Sequence, residues 1–332
     1  MKLMRGANNS TAIIEFFIRG LPDLPEMHMY FFMVFLLIYF LTMTANMTII
    51  GLVWMDHHLH TPMYFFLGNY SFLEMMYVST TVPKLLDIYR SGNYAISFSA
   101  CIAQLYTFTV LGVTESFFLV VMSYDRYLAI CSPLHYATIM SQRSCTFLVL
   151  GSWAAAVLIS ASPLVMIARL PFCGPNEIDH FLCESAPLLQ LACSDTTFSK
   201  TILSVFASIS ILGSFLFIMV SYSYIIITIM RIPSRRGKKK AFSTCSSHLT
   251  VVMIFYVTSS VSYVRPAESN PLQNKIVAAF YAIVIPLLNP FIYSLRNKDM
   301  QEALRSVFRR ASQCATHTDI MRVIVQEEKK NW

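Results

Sequence analysis

Seven stretches of the chain lack Asp, Glu, Lys and Arg almost entirely: residues 27–55, 57–83, 91–124, 144–168, 201–230, 241–264 and 276–295. Glu74 is the one interruption of the second, and Glu115 of the third. The hydrocarbon core of a bilayer is about 30 Å thick and takes about 20 helical residues to cross. Each stretch is long enough. A helix also satisfies its own backbone hydrogen bonds, as the bilayer interior demands. Helices of soluble proteins carry a polar face, and these stretches have almost no charge to build one. The pattern predicts an all-α membrane protein, a seven-transmembrane helix bundle.

Lysine and arginine in the connecting segments set the orientation. Six of the 25 basic residues fall in 231–240 and eight more from Arg296 onward. With the N-terminus outside and the C-terminus cytoplasmic, sixteen basic residues lie inside and nine outside. The expected organisation is an extracellular segment 1–26, the seven-helix bundle 27–297, a juxtamembrane segment 298–310 and a cytoplasmic tail 311–332. Within 298–310, Met300, Leu304 and Phe308 recur at four-residue spacing among charges. That spacing predicts a short amphipathic helix lying on the membrane.

Composition sharpens this picture in one respect. The chain is 55% hydrophobic and only 13% charged, against about 45–50% and about 25% in soluble domains. The net charge of +7 is concentrated beside apolar runs, as at cytoplasmic membrane flanks. It is not interleaved with an aromatic stacking platform, so no nucleic-acid partner is expected. The first 26 residues hold no apolar run, so no cleavable signal peptide is expected. Asn8 and Asn9 head two overlapping glycosylation sequons.

Of eight cysteines, Cys101, Cys173, Cys183 and Cys193 fall on the outer side, where oxidation favours pairing. Four cysteines allow three connectivities, and spacing does not choose among them. Cys131, Cys145, Cys245 and Cys314 fall on the reducing side; Cys314, after a basic amphipathic stretch, is read first as a plain free thiol and second as a palmitoylation site. The string His180-Phe181-Leu182-Cys183-Glu184 has the composition of a metal site. An oxidised Cys183 offers no thiolate, which argues against that reading.

Two carboxylates in apolar spans need an explanation. An ionised residue at the bilayer centre costs about 2.5–3.5 kcal/mol on insertion scales and usually faces the protein interior. Glu74 and Glu115, with Asn46, Asn289 or Ser71, fit a bound cation such as sodium, a shared proton, or a purely structural hydrogen-bonded pair. Asp125-Arg126 closes the third span, and Asn289-Pro290 places a kink beside a polar side chain in the seventh.

These last motifs carry a resemblance. Asp125-Arg126-Tyr127 and Asn289-Pro290-Phe291-Ile292-Tyr293 resemble those of rhodopsin-like G-protein-coupled receptors. The strings Leu59-His60-Thr61-Pro62-Met63-Tyr64-Phe65-Phe66-Leu67 and Lys240-Ala241-Phe242-Ser243-Thr244-Cys245-Ser246-Ser247-His248-Leu249 are similar to those of odorant (olfactory) receptors, class II or tetrapod-type. So are Met122–Cys131 and Pro286–Asn297. Small departures occur: Ala45 precedes Asn46 where Gly is usual, Glu74 stands where Asp is commoner, and Val257 replaces a Gly.

The resemblance implies a non-enzymatic receptor of the plasma membrane, in olfactory neuron cilia. It would bind a small neutral volatile and activate a stimulatory, olfactory-type G protein that raises cyclic AMP. It implies the disulfides Cys101–Cys183 and Cys173–Cys193, and favours sodium at Glu74 and Glu115. No other cofactor is expected. Landmark counting puts Phe108, Thr109, Gly112, Val113, Ser116, Phe206, Ala207, Ser210, Tyr256, Ser259, Ser260, Tyr263, Ala279 and Ala282 around the ligand. Asp125, Arg126, Tyr127, Tyr222, His248, Pro290 and Tyr293 would form the switch and G-protein contact. The competing readings are a rhodopsin-like receptor for a non-odorant ligand in another tissue, and a transporter. Phe108 stands where an amine receptor needs a carboxylate, and no internal repeat supports a transporter.

Overall fold

The computed structural model describes residues 15–20, 25–173, 176–263, 271–307 and 309. The sequons at Asn8 and Asn9, Phe308, Cys314, the tail 311–332 and the side chain of Tyr263 lie outside the described residues.

Helices dominate the described residues. They are α1 (His28–Met55), α2 (Pro62–Ser91), α3 (Phe98–Cys131), α4 (Pro133–Ile139), α5 (Gln142–Ala168), α6 (Ser185–Gln190), α7 (Thr197–Arg231), α8 (Arg235–Tyr263), α9 (Pro271–Ala279) and α10 (Ile285–Arg296). A π-helical segment, Phe280–Val284, joins α9 to α10. Residues 298–307 are helical as well. Proline sits at the start of α2 and α4, where its missing N–H costs nothing. Ser97 and Ser141 accept from the backbone N–H of Ala100 and Ser144 and so cap α3 and α5.

Among the described residues, five helical stretches are long and apolar enough to cross a membrane: His28–Met55, Phe98–Cys131, Gln142–Ala168, Thr197–Arg231 and Leu272–Ser294. The chain is a multi-pass membrane protein. α2 and α8 are comparably long but more polar. α2 carries Glu74, Lys84, Asp87 and Arg90, and the apolar part of α8 is confined to Cys245–Val261. α3 is the central helix, packed on α2, α5, α7 and α8, and α10 lies against α1, α2 and α8. The central position of α3 explains its burial: 61% of its most apolar stretch is buried, against 11% in α7.

The all-α expectation needs one addition. Three short strands, β1 (Glu15–Ile18), β2 (Ala95–Ser97) and β3 (Glu177–Ile178), form a sheet in the order β2-β1-β3. β1 pairs antiparallel with β2 and parallel with β3. Phe16 and Ile18 alternate with exposed neighbours and are fully buried. Phe16 packs against Phe98 and Phe172, with ring centroids 6.0 and 5.6 Å away. Period-two alternation over four residues is too short a signal to see in the chain alone.

Candidate functional site

Three polar clusters are distributed along the bundle. The first caps the end where α3 begins. Disulfides link Cys101 to Cys183 and Cys173 to Cys193, with Cα atoms 5.5 and 5.8 Å apart. Cys183 therefore offers no thiolate to a metal beside His180. Gln104, one turn from Cys101, accepts from the N–H of Cys183 (2.9 Å) and donates to the Thr80 carbonyl (2.9 Å). The Tyr281 hydroxyl donates to Glu184, and Lys275 pairs with Asp179 at 2.7 Å. His180 is buried, stacked on Phe181, with Nε2 3.5 Å from Glu184. Burial holds its imidazole below its ordinary pKa, because the charged form would lose its hydration.

Beneath this cap lie the ligand candidates. Phe108, Ser116, Tyr256 and Ala282 are buried; Thr109, Gly112, Val113, Ala207, Ser210, Ser259 and Ala279 are half-buried. Phe206 and Ser260 are exposed, so the structure does not bring them to the interior with the others. The rings of Tyr77 and Tyr281 flank Phe108, 4.9 and 5.7 Å from it. A Cβ at Gly112 would come within 3.3 Å of the Tyr77 hydroxyl. Glycine there lets α2 and α3 approach closely.

The second cluster sits at mid-depth, where Glu74, Asn46, Asn289 and Ser71 are essentially inaccessible and Glu115 is 5% exposed. The Asn289 amide donates to Glu74 and to the Tyr70 hydroxyl (3.2 Å), and Tyr70 donates to Glu115 (2.8 Å). Asn46 Nδ2 donates to the carbonyls of Thr42 (3.0 Å) and Pro286 (3.4 Å). Asn46 Oδ1, Glu74 Oε2 and Asn289 Oδ1 are buried without a hydrogen-bond partner among the described residues. All three are oxygens. Oxygens of this kind are what a hard cation or a proton would need.

The third cluster lies near the far end of α3, about 36 Å from Cys101 at 1.5 Å per residue. Arg126 donates to Asp125 Oδ2 at 2.6 Å, and the Tyr136 hydroxyl to Asp125 Oδ1 at 2.7 Å. Both carboxylate oxygens are thus engaged, and Asp125 is fully buried. Burial and the neighbouring carboxylate push the Tyr136 phenol well above its ordinary pKa, so it stays a donor. Tyr222 stacks on His248, with its hydroxyl 2.7 Å from Nδ1. Tyr127 meets Tyr224, and Tyr293 meets Tyr70, each at 6.1 Å between centroids.

Sequence reasoning missed Tyr70, Gln104, Tyr136 and Tyr281. Tyr70 lies one turn before Glu74, a spacing that could have flagged it. Tyr136 and Tyr281 reach partners 11 and 97 positions away, which no local pattern reveals.

The chain matches the olfactory receptor family over residues 35–311. It belongs to that family. It is 48% identical over 305 residues to olfactory receptor 11H6 of Homo sapiens, covering 91% of this chain and 92% of that one. Olfactory receptor 6C75 of Homo sapiens is 46% identical, with 90% and 96% covered. Olfactory receptor 1M1 of Mus musculus is 44% identical, with 91% and 97% covered. The chain is an odorant receptor and not an enzyme, with a small-molecule ligand and a G protein as its partners.

Proposed function

We propose that this receptor binds a small neutral volatile beneath the disulfide-tied cap and activates a stimulatory, olfactory-type G protein, raising cyclic AMP. Seven helices cross the membrane in this reading: α1, α2, α3, α5, α7, α8 and the α9–α10 unit. The N-terminus is outside, and residues 298–307 lie along the inner leaflet. The cell surface of olfactory cilia is its site of action. The observation that carries the reading is the occupied Asp125 at the end of α3 opposite the disulfides. Arg126 and Tyr136 hold that carboxylate closed, and release of Arg126 would present it to the G protein.

Ligand binding acts by population shift, favouring whichever arrangement of the helices it fits better. The candidate lining of Phe108, Val113, Tyr256 and Ala282 is largely apolar with scattered hydroxyls, which suits a neutral molecule. At mid-depth, the unmatched oxygens of Asn46, Glu74 and Asn289 support a bound sodium ion or a shared proton, with Glu115 as second carboxylate. That charge would bias the same helices, since it joins α1, α2, α3 and α10.

A cyclic-AMP reporter in cells displaying this chain, challenged with a panel of neutral odorants, tests the reading. A concentration-dependent rise is expected with at least one class of odorant. Surface display with no response to any of them contradicts it. Glu74→Gln should flatten the dependence of that response on sodium; unchanged sodium dependence rejects the ion site.

A further inference from the structure

The turn between α1 and α2 carries three histidines that the receptor reading leaves unused. Residues His57–Leu59 form a 3-10 turn. With three residues per turn, side chains at i and i+3 eclipse. His57 and His60 have that spacing. Their Nδ1 atoms are 3.4 Å apart, and their rings stand nearly perpendicular with centroids 4.9 Å apart. The turn is pinned on both sides. Asp56 Oδ1 accepts from the N–H of His58 (3.0 Å), and His60 N–H donates to the His57 carbonyl (3.1 Å).

The second nitrogen of His60 fixes its tautomer. His60 Nε2 lies 3.4 Å from the Trp54 carbonyl oxygen. A carbonyl only accepts, so the hydrogen sits on Nε2 and the lone pair on Nδ1, facing His57. A ring N–H given to a backbone carbonyl is the usual support of a metal-bound histidine. Nitrogens about 2.0–2.1 Å from a tetrahedral zinc ion stand about 3.3–3.4 Å apart. The observed separation matches that bite, and all three histidines are exposed, open to an ion from water.

We propose that His57 and His60 form a two-histidine chelate for a first-row divalent ion of the zinc, copper or nickel type. Without metal, the His57 Nδ1–H donates to His60 Nδ1. With metal, His57 carries its hydrogen on Nε2, and both Nδ1 lone pairs bind the ion. Neither ring gains or loses charge in the exchange. Neutral imidazoles suit these ions, whereas magnesium and calcium prefer oxygen. Among the described residues no group of three His, Cys, Asp or Glu side chains forms a cage, so water completes the coordination. His58 lies outside the pair, its backbone N–H given to Asp56 Oδ1, and serves as the control.

The test is calorimetric titration of zinc chloride into the full chain in lipid nanodiscs. A binding step is expected that weakens at least tenfold in His57→Ala and in His60→Ala, and is unaltered in His58→Ala. Copper(II) electron paramagnetic resonance on the unsubstituted chain gives a reading independent of variant folding, with two equatorial imidazole nitrogens expected. Zinc affinity unchanged in both variants, no zinc binding by the parent chain, or a copper spectrum with fewer than two nitrogens overturns the chelate. The pair is then a hydrogen bond only.

Discussion

At the disulfide end, the chain crosses itself repeatedly: β1 lies between β2 and β3, two disulfides close the loop, and Gln104 ties that loop to α3. At the far end of α3, the polar contacts are single hydrogen bonds between side chains, Arg126 and Tyr136 to one carboxylate and Tyr222 to His248. The first end is held by covalent closure and buried aromatic packing. The second is held by bonds worth about 1.5–3 kcal/mol each when one partner is charged. The two ends of the bundle are thus held by different means, covalent at one and non-covalent at the other. In the proposed switch, helix displacement would act on contacts of the second kind.

The comparison breaks first at Cys101→Ser. The Cys101–Cys183 disulfide closes a separation of 82 residues, worth about 4.5 kcal/mol of unfolded-state entropy. Surface display and response should both be lost, by flow cytometry and the cyclic-AMP reporter. Arg126→Ala should do the reverse at the other end, abolishing the odorant response while surface display persists. Retained signalling would contradict the switch. Phe16→Ala removes a fully buried ring from the cap and should cost about 3 kcal/mol, read as a lowered thermal midpoint in detergent.

Tyr136→Phe removes one of the two bonds on Asp125. Basal cyclic AMP should rise several-fold with little change in thermal midpoint. The smallest effect is one of pH. Burial depresses the His180 pKa from its ordinary 6.5, so below that value the unfolded chain binds a proton that the folded cap does not. Stability is therefore full above about pH 6.5 and declines as the pH falls toward the depressed value. Thermal midpoints between pH 7.5 and 5.5 should show that decline, and His180→Gln should flatten it.

Much of this was legible in the chain. Glu74 and Glu115 stood out because charge is costly inside an apolar span, and both are buried with Asn46 and Asn289 in one cluster. Asp125 and Arg126 are adjacent in sequence, so their pairing needed no fold. Tyr136, Tyr281 and Gln104 were not legible as partners, since a tyrosine or glutamine in a helix is ordinary until its neighbour is known; of the four residues missed, only Tyr70, one turn before Glu74, carried a local signal. β1 was hidden for a related reason: four residues acquire strand geometry only by pairing with β2 and β3.

The sequence by itself determined that this protein crosses a membrane, where its charges lie relative to the apolar stretches, and which family it resembles. Those properties are local, written in the spacing of apolar and charged residues. Only the tertiary structure decided which oxygens at mid-depth lack partners, that Asp125 is held from two sides, and that His57 faces His60 at 3.4 Å. Each of these depends on atoms brought together by packing, at distances a few ångströms finer than any periodicity along the chain specifies.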